Sequence, residues 1–510
     1  MTALGPEGTE EDWQRLDRRT LLVSAAVTGG VAAGAAVPTA LGLASGMPLW
    51  QAVVWVLAGS VVMIACGTAA DYVRWRRTRY RIGAERAELH TGLLLVTRRS
   101  LARERIRSVD LTAHPLLRIL GLVKVRIGTG EHSGGESTLE LDPVARAEGE
   151  RLRRLLLDRP AAAGADPAHD GPLAALDPGW IRYAPVSFVA PALGGAAAGA
   201  VMQVSEWFGA QAAVIDWVRA RFEGTSILSM ITVLVLAALL AGTVGALGLW
   251  VEMWWNYTLE REPGGTLRVR RGLLTARSIS VEERRLRGVE LIEPLGVRTF
   301  GAARVDAVAT GIAEDDESQH ADHKTLLPPA PRTVADTVAA QVLRECVAPT
   351  SAPLTAHPRA ARDRRVRWAL GSAAVPVVVL AVLGVLLDVG VLGYVAGACA
   401  LVLTPLALLA ARDAYRNLGH GITGEYLLAR SGVLRRSTVA LQRGGVIGWT
   451  VKQSWFQRRA GVLTLTATTA AGAGAYSVYD AAAPEGLAFA AEAVPDLLAP
   501  FLERTPDPEG

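Results

Sequence analysis

From Thr20 to Ala70 the chain runs for 51 residues without Asp, Glu, Lys, Arg or His. One membrane-spanning helix needs about 20 apolar residues. The run therefore predicts two helices, at 21–45 and 49–70, separated by the break Gly46-Met47-Pro48. The first is too long for the apolar core of a secretory leader, and a second follows at once. The signature recurs twice. Ala184–Ser205 and Thr225–Val251 are uncharged, and the 206–224 loop between them carries Trp207, Phe208, Trp217 and Phe222, as an interfacial segment would. Ala369–Leu387 and Val389–Ala411 flank Asp388. The pattern predicts six spans in three hairpins, at 21–70, 184–251 and 369–411.

After each hairpin the periodicity changes. Lys124–Thr129, Arg304–Thr310 and Val462–Thr468 alternate apolar and polar residues, which is a strand signal. Val144–Leu157, Thr333–Val347 and Glu485–Leu502 then read as closing helices, the first with a stripe of Leu152, Leu155 and Leu156. This predicts soluble domains at 71–158, 252–347 and 412–503. Linkers fall at 159–183 (Pro-, Gly- and Asp-rich) and 348–368 (basic), with an N-terminal segment at 1–20 and a tail at 504–510.

The three soluble segments are copies of one another. Residues 92–129 align without a gap to 272–309, with Gly92/Gly272, Arg105/Arg285, Arg107/Arg287, Arg118/Arg298 and Gly121/Gly301 among the identical pairs. In the third copy Gly432, Arg458 and Gly461 match Gly92, Arg118 and Gly121, while Gly445 stands where Arg105 would be. By these identities the third copy has diverged most. Gly92, Arg118, Gly121, Gly272, Arg298, Gly301, Gly432, Arg458 and Gly461 are therefore candidates for a shared structural role. The arginine is expected to hold a loop carbonyl or a carboxylate within its own domain, with a shared surface site as the alternative.

The pattern of Gly-Leu-Leu, a ten-residue run, Arg-x-Arg-x-Val, a Leu/Pro stretch and Arg-x-x-Gly resembles the bacterial pleckstrin-homology (PH) domain family. The alternation of hairpin and domain resembles its YdbT-like multi-span membrane proteins. The resemblance implies membrane α-helical hairpins plus β structure, with each hairpin followed by a PH-like split β-barrel and a C-terminal helix. It implies no catalytic residues, and a place at the bacterial plasma membrane.

Composition fits this frame. Hydrophobic residues make up 50% and charged residues 20%, with mean hydropathy +0.26. That excludes a disordered chain and disfavours a purely soluble one. A net charge of +4 is too small for a protein that coats nucleic acid. Arg15, Arg18 and Arg19 precede the first span, and five Arg lie in each of Asp71–Arg81 and His357–Arg367. By the positive-inside rule both termini and all three domains are cytoplasmic. Tryptophans at the span ends, among them Trp50, Trp75, Trp180, Trp207, Trp250, Trp254, Trp255 and Trp368, read as interfacial anchors. Small-residue pairs Gly30/Gly34, Gly195/Gly199 and Gly393/Gly397 read as helix-packing faces.

No nucleophile constellation, phosphate loop or zinc spacing stands in a plausible context. His320, Asp322 and His323, and the acidic run Glu314–Glu317, read as solvated loop. Cys66, Cys346 and Cys399 form no C-x-x-C pair, and neither a cofactor nor a metal is expected. The remaining candidates are basic. Arg98, Arg99, Arg105, Arg107, Arg270, Arg271, Arg285 and Arg287 cluster around equivalent turns. Beside an anionic leaflet each contributes about 1 kcal/mol, so they are candidates for contact with lipid headgroups or a partner. The Trp455-Phe456 pair reads as core, with an apolar tip as the alternative. The expected function is a non-enzymatic assembly or recognition platform in cell-envelope maintenance, with the bilayer and a protein partner or a second copy as partners. The alternative is an exporter or resistance factor for amphipathic peptides or lipids, disfavoured because the spans hold almost no ionisable residues.

Overall fold

The computed structural model describes residues 13–83, 85–92, 97–106, 108–128, 138–157, 171–187, 189–311, 324–495 and 497. The first repeat comprises β1 (Gln14–Arg15), α1 (Thr20–Ala44), α2 (Leu49–Arg77), β2 (Arg79–Ile82), β3 (Arg86–Thr91), β4 (Thr97–Ala102), β5 (Ser108–Ala113), α3 (Pro115–Ile119), β6 (Leu122–Gly128), β7 (Thr138–Ala145) and α4 (Arg146–Leu157). The second comprises β8 (Gly171–Ala175), α5 (Val189–Trp207), α6 (Gln211–Arg221), α7 (Ile227–Trp254), β9 (Thr258–Glu262), β10 (Thr266–Arg271), β11 (Ala276–Glu282), β12 (Leu286–Pro294), α8 (Leu295–Thr299), β13 (Ala302–Ala309), β14 (Thr325–Pro331) and α9 (Arg332–Leu343). The third comprises α10 (Arg359–Leu386), α11 (Gly390–Arg416), β15 (Gly419–Thr423), β16 (Tyr426–Ser431), β17 (Arg435–Gln442), β18 (Val446–Lys452), α12 (Trp455–Arg459), β19 (Val462–Thr469), β20 (Ala475–Ala482) and α13 (Ala483–Ala493).

Among the described residues five helices, not six, are long and apolar enough to cross a membrane: α1, α2, α7, α10 and α11. The sixth expected span becomes α5, whose 19 residues are rich in Ala and Gly and include Gln203 and Glu206. It packs closely against α7. A Cβ on Gly194 would lie 2.2 Å from the Ala238 carbonyl oxygen, and one on Gly242 would lie 2.0 Å from that of Ala190. Small residues permit this where lipid supplies no hydrophobic drive. The small-residue pairs singled out in the sequence do not face neighbours: a Cβ on Gly30, Gly34, Gly195, Gly199, Gly393 or Gly397 meets nothing within 4 Å. Motif spacing cannot tell which face of a helix meets its partner.

The tryptophans divide as well. Trp50, Trp207, Trp255 and Trp368 are exposed, but Trp75, Trp180, Trp250 and Trp254 are buried, so these four are not interfacial anchors. The Trp75 indole donates to the Leu16 carbonyl at 2.8 Å and fixes the N-terminal segment against α2. The expected linker 159–183 is in part a structural element. Its described end forms β8, which pairs with β9, and a 3₁₀ turn at Pro178–Tyr183 that buries Trp180 and Tyr183.

The strands follow their alternation. In β6, Val123, Val125 and Ile127 point inward while Lys124 and Arg126 are partly exposed. In the first repeat β2–β4, β5–β7 and α4 share one core, which includes Leu89, Ile106, Val125, Leu141 and Leu156. In the third, β16–β20 and α13 share another around Leu465 and Phe489. Hydrogen bonding does not respect repeat boundaries. The sheets run β1-β2-β3-β4, then β7-β6-β5-β11-β10-β9-β8, then β14-β13-β12-β17-β16-β15, then β18-β19-β20. The chain divides into two compact units, residues 1–282 and 283–510. That boundary falls inside the expected domain 252–347, because each half of the second repeat is bonded into a neighbour's sheet.

Candidate functional site at the junctions between repeats

Two junctions join successive repeats by the same device. The first strand of one repeat's second sheet pairs antiparallel with the last strand of the next repeat's first sheet. In residues 1–282, β5 pairs with β11, and Leu111 stands opposite Ser278. In residues 283–510, β12 pairs with β17, and Leu291 stands opposite Thr438. These are the same repeat positions, so the register is identical at both junctions. Pairing also removes two sheet edges at each junction that would otherwise be open templates for other strands.

Side chains lock the first junction. Arg153 on α4 forks onto Glu262 of β9, Nη1 to Oε2 at 2.7 Å and Nη2 to Oε1 at 3.1 Å. Arg268 of β10 reaches Glu150 of α4 at 2.7 Å and Glu262 at 3.1 Å, and its Nε donates to Ser278 Oγ at 2.8 Å. Both guanidinium groups are about 95% buried, with side-chain exposures of 5% and 4%. Burial alone would push the Glu150 carboxyl up. The hydrogen bond and charge of Arg268, joined by Arg153, outweigh it and hold Glu150 below the usual carboxylate range. Glu262 is held down in the same way, against its burial, by Arg153 and then Arg268. Two cations and two anions thus make a neutral square across the junction. At the second junction Arg436 of β17 binds Glu293 of β12 at 2.7 Å, and Arg332 adds a contact at 3.0 Å.

Beside the square lies a cleft of about 640 Å³. Arg118, Arg146, Arg268, Arg270, Arg271 and Arg277 line it together with Glu150 and Glu260, an excess of four positive charges. Arg268 and Arg271 are buried, so the accessible positive charge of the cleft comes from Arg118, Arg146, Arg270 and Arg277.

The basic candidates from the sequence do not form one surface. Arg270 is exposed on the cleft. Arg271 is only 3% exposed, with its guanidinium 4.4 Å from the Trp254 ring centroid, which removes it from contact with a headgroup. Arg98 is exposed on β4, a different sheet, and Arg99 beside it donates to the Thr138 carbonyl at 2.9 Å. Arg105 is exposed in the 3₁₀ turn before β5. Arg285 and Arg287 are half-buried, and Arg287 packs over Gly445. Arg107 lies outside the described residues, as do His320, Asp322, His323 and the acidic run. Arg146 escaped sequence reading, as did the Arg153–Glu262–Arg268–Glu150 square, whose Arg153–Glu262 and Arg268–Glu150 bonds join residues more than 100 positions apart.

The repeated glycines sit at one structural place. Gly121, Gly301 and Gly461 follow α3, α8 and α12 with φ of +70°, +66° and +64°. Each carbonyl accepts the N–H at the start of the closing helix or just beside it, from Arg146, Arg332 and Ala483 respectively. Gly272 and Gly432 share φ of +111°, and a Cβ at either would lie 1.9 Å from a carbonyl oxygen. Gly92, their counterpart in the first repeat, directly follows β3. The repeated arginine holds a carbonyl or a carboxylate, as expected, in two of its three copies, but the partner lies outside its own domain. Arg118 donates to the Leu273 carbonyl of the next repeat, and Arg298 to Asp413 on the helix that leads into the next repeat, at 2.8 Å. It clasps neighbouring repeats and does not tie its own domain. Trp455 and Phe456 are 62% and 63% exposed, so they are not core.

The family model described as Bacterial PH domain matches residues 34–160 and 375–494, which are the first and third repeats. The third repeat, the more diverged by its identities, is thus matched while the second is not. The UPF0699 transmembrane protein YdbT of Bacillus subtilis (strain 168) is 29% identical over 93 residues, which are 18% of this chain and 19% of that protein. The match thus spans about a fifth of the curated relative's length. No solved structure matches the chain. With its apolar helices and its two matched regions, the chain is a membrane protein that carries bacterial PH domains and is similar to YdbT.

Proposed function

We propose that the chain is a non-enzymatic platform that holds three PH-like modules, each a split β-barrel with a closing helix, against the cytoplasmic face of a bacterial plasma membrane. There it serves cell-envelope maintenance by gathering lipid or protein partners. The observation that carries this reading is the shortness of the connections between helix and sheet. Only Thr78 separates α2 from β2, only residues 255–257 separate α7 from β9, and only Asn417 and Leu418 separate α11 from β15. Such tethers keep each first sheet within reach of the headgroup field, which decays over about 8–10 Å at physiological salt.

In this reading Arg98, Arg105 and Arg270 present positive charge toward anionic headgroups, and the junction cleft supplies an additional cationic surface. The test is lipid retention by the full-length protein. Native mass spectrometry of protein extracted from mixed phosphatidylglycerol–phosphatidylethanolamine bilayers should show phosphatidylglycerol enriched on the wild type. The triple variant Arg98→Glu, Arg105→Glu, Arg270→Glu should lose that enrichment with its thermal unfolding unchanged. Equal retention of both lipids by the wild type would remove the lipid part of the proposal.

A further inference from the structure

The junction device leaves two edges over. The rule pairs the first strand of one repeat's second sheet with the last strand of the next repeat's first sheet. In the third repeat the donor of such a junction is β18, which ends its sheet. In the first repeat the acceptor is β4, which also ends its sheet. Neither outer edge has a strand partner among the described residues. The two edges are the complementary halves of a junction the chain already makes twice.

The surface of these strands matches that account. At the paired junctions Leu111 and Leu291 are 5% and 0% exposed, while the equivalent Val451 on β18 is 43% exposed. Ser280 of β11 is fully buried, while its counterpart Ser100 of β4 is exposed. Arg118 and Arg298 clasp the next repeat, but Arg458 is exposed, and its side chain has no partner among the described residues. The two strand edges and the clasping arginine of a third junction are uncovered, without the charge square of the first, since Glu88 stands where Arg268 does there.

We infer that the chain self-associates head to tail, β18 of one copy pairing antiparallel with β4 of another in the register of the internal junctions. Val451 then stands opposite Arg98, Thr450 opposite Arg99 and Gly448 opposite Leu101. The occupant is a second copy because that edge-to-edge fit recurs inside the molecule with one register. The contact is heterologous, so it propagates into a ring or an open array according to its rotation. It draws only on strand pairing and does not depend on lipid binding.

Two experiments on the full-length membrane protein test this. In the first, the native cysteines Cys66, Cys346 and Cys399 are replaced, and Arg98→Cys and Val451→Cys chains are co-expressed in one membrane under mild oxidation. A disulfide-linked dimer should form only when both variants are present. Dimers formed by either variant alone would show symmetric edge pairing and overturn the proposal, as would no dimer in the mixture. In the second, sedimentation in detergent should show the wild type larger than one protomer. Val451→Arg sets like charge against Arg98 and should weaken association at least tenfold. Adding Arg98→Glu to that variant should restore it, which shows that the first change did not unfold the chain. A monomeric wild type at all concentrations, or capture of a different protein on β18 in place of a second copy, would refute head-to-tail assembly.

Discussion

Arg118, Arg298 and Arg458 share one position of the repeat and meet three environments. Arg298 has a half-buried carboxylate partner, Arg118 an accessible carbonyl, and Arg458 solvent. Thermal unfolding of the full-length chain should rank the alanine variants accordingly. Arg298→Ala should cost about 1–3 kcal/mol, because it leaves Asp413 poorly compensated. Arg118→Ala should cost about 1 kcal/mol, and Arg458→Ala less than about 0.5 kcal/mol, the usual range for a surface change. A second residue-scale feature is the buried pair His357 and His420, with Nε2 and Nδ1 3.0 Å apart. Burial, and then the neighbouring His420, push His357 down to about 4, although the backbone of Tyr479 and Asp480 and the Asp480 charge oppose it. Burial also lowers His420, against the pull of Glu485. A base whose folded pKa is depressed takes up its proton first in the unfolded chain. Stability is therefore whole above the unfolded value of about 6.5 and falls as the pH drops toward about 4. The His357 shift alone accounts for a loss of about 3 kcal/mol. Unfolding midpoints should drop from pH 7.5 to pH 4.5, and less steeply in a His357→Leu, His420→Leu double variant.

At the scale of elements, two close approaches decide which helices and strands meet. Gly242 on α7 lies against the Ala190 carbonyl of α5, and no side chain fits there. Gly242→Val should force the two helices apart and cost about 1–3 kcal/mol, the range for overpacking. Gly199→Val, on an open face of the same helix pair, should leave thermal stability nearly unchanged. The charge square at the first junction is a second such determinant. Removing one partner of a buried ion pair costs about 3–5 kcal/mol, because the other is left uncompensated. Arg153→Met should therefore destabilise residues 1–282 strongly. Adding Glu262→Gln should recover part of that loss, and a double-mutant cycle measures how much.

For the whole molecule, orientation is the first question. The arginine asymmetry predicts both termini and the three soluble segments on the cytoplasmic side, which requires α5 to cross with α7 although it is not among the five helices long and apolar enough by themselves. Reporter fusions after residues 47, 215 and 388 should read outside, and a fusion after residue 510 inside. An outside signal at 510 would overturn that orientation and the lipid reading with it. The topology of shared sheets also has a consequence for dissection. A fragment ending at residue 158 exposes the edge of β5, and one ending at residue 347 exposes that of β12. Such pieces should aggregate where the full chain does not.

The sequence by itself determined five of the six expected apolar helices, the strand alternation and the positions at which the same glycines recur. These are local or periodic properties, set by hydrophobic spacing and by the conformations a Cβ forbids. It also located the basic residues, but not their surroundings, and so could not tell buried Arg271 from exposed Arg270. Tertiary structure decided the rest. The repeats, legible as three separate domains, are knitted through shared sheets, because an edge strand pairs with whatever complementary edge is nearest, and strand spacing carries no record of that choice. The face of α5 that meets α7, the square of Arg153, Glu262, Arg268 and Glu150, and the clasp made by Arg118 all join residues tens to more than a hundred positions apart. Only the folded chain brings them within hydrogen-bonding or van der Waals range.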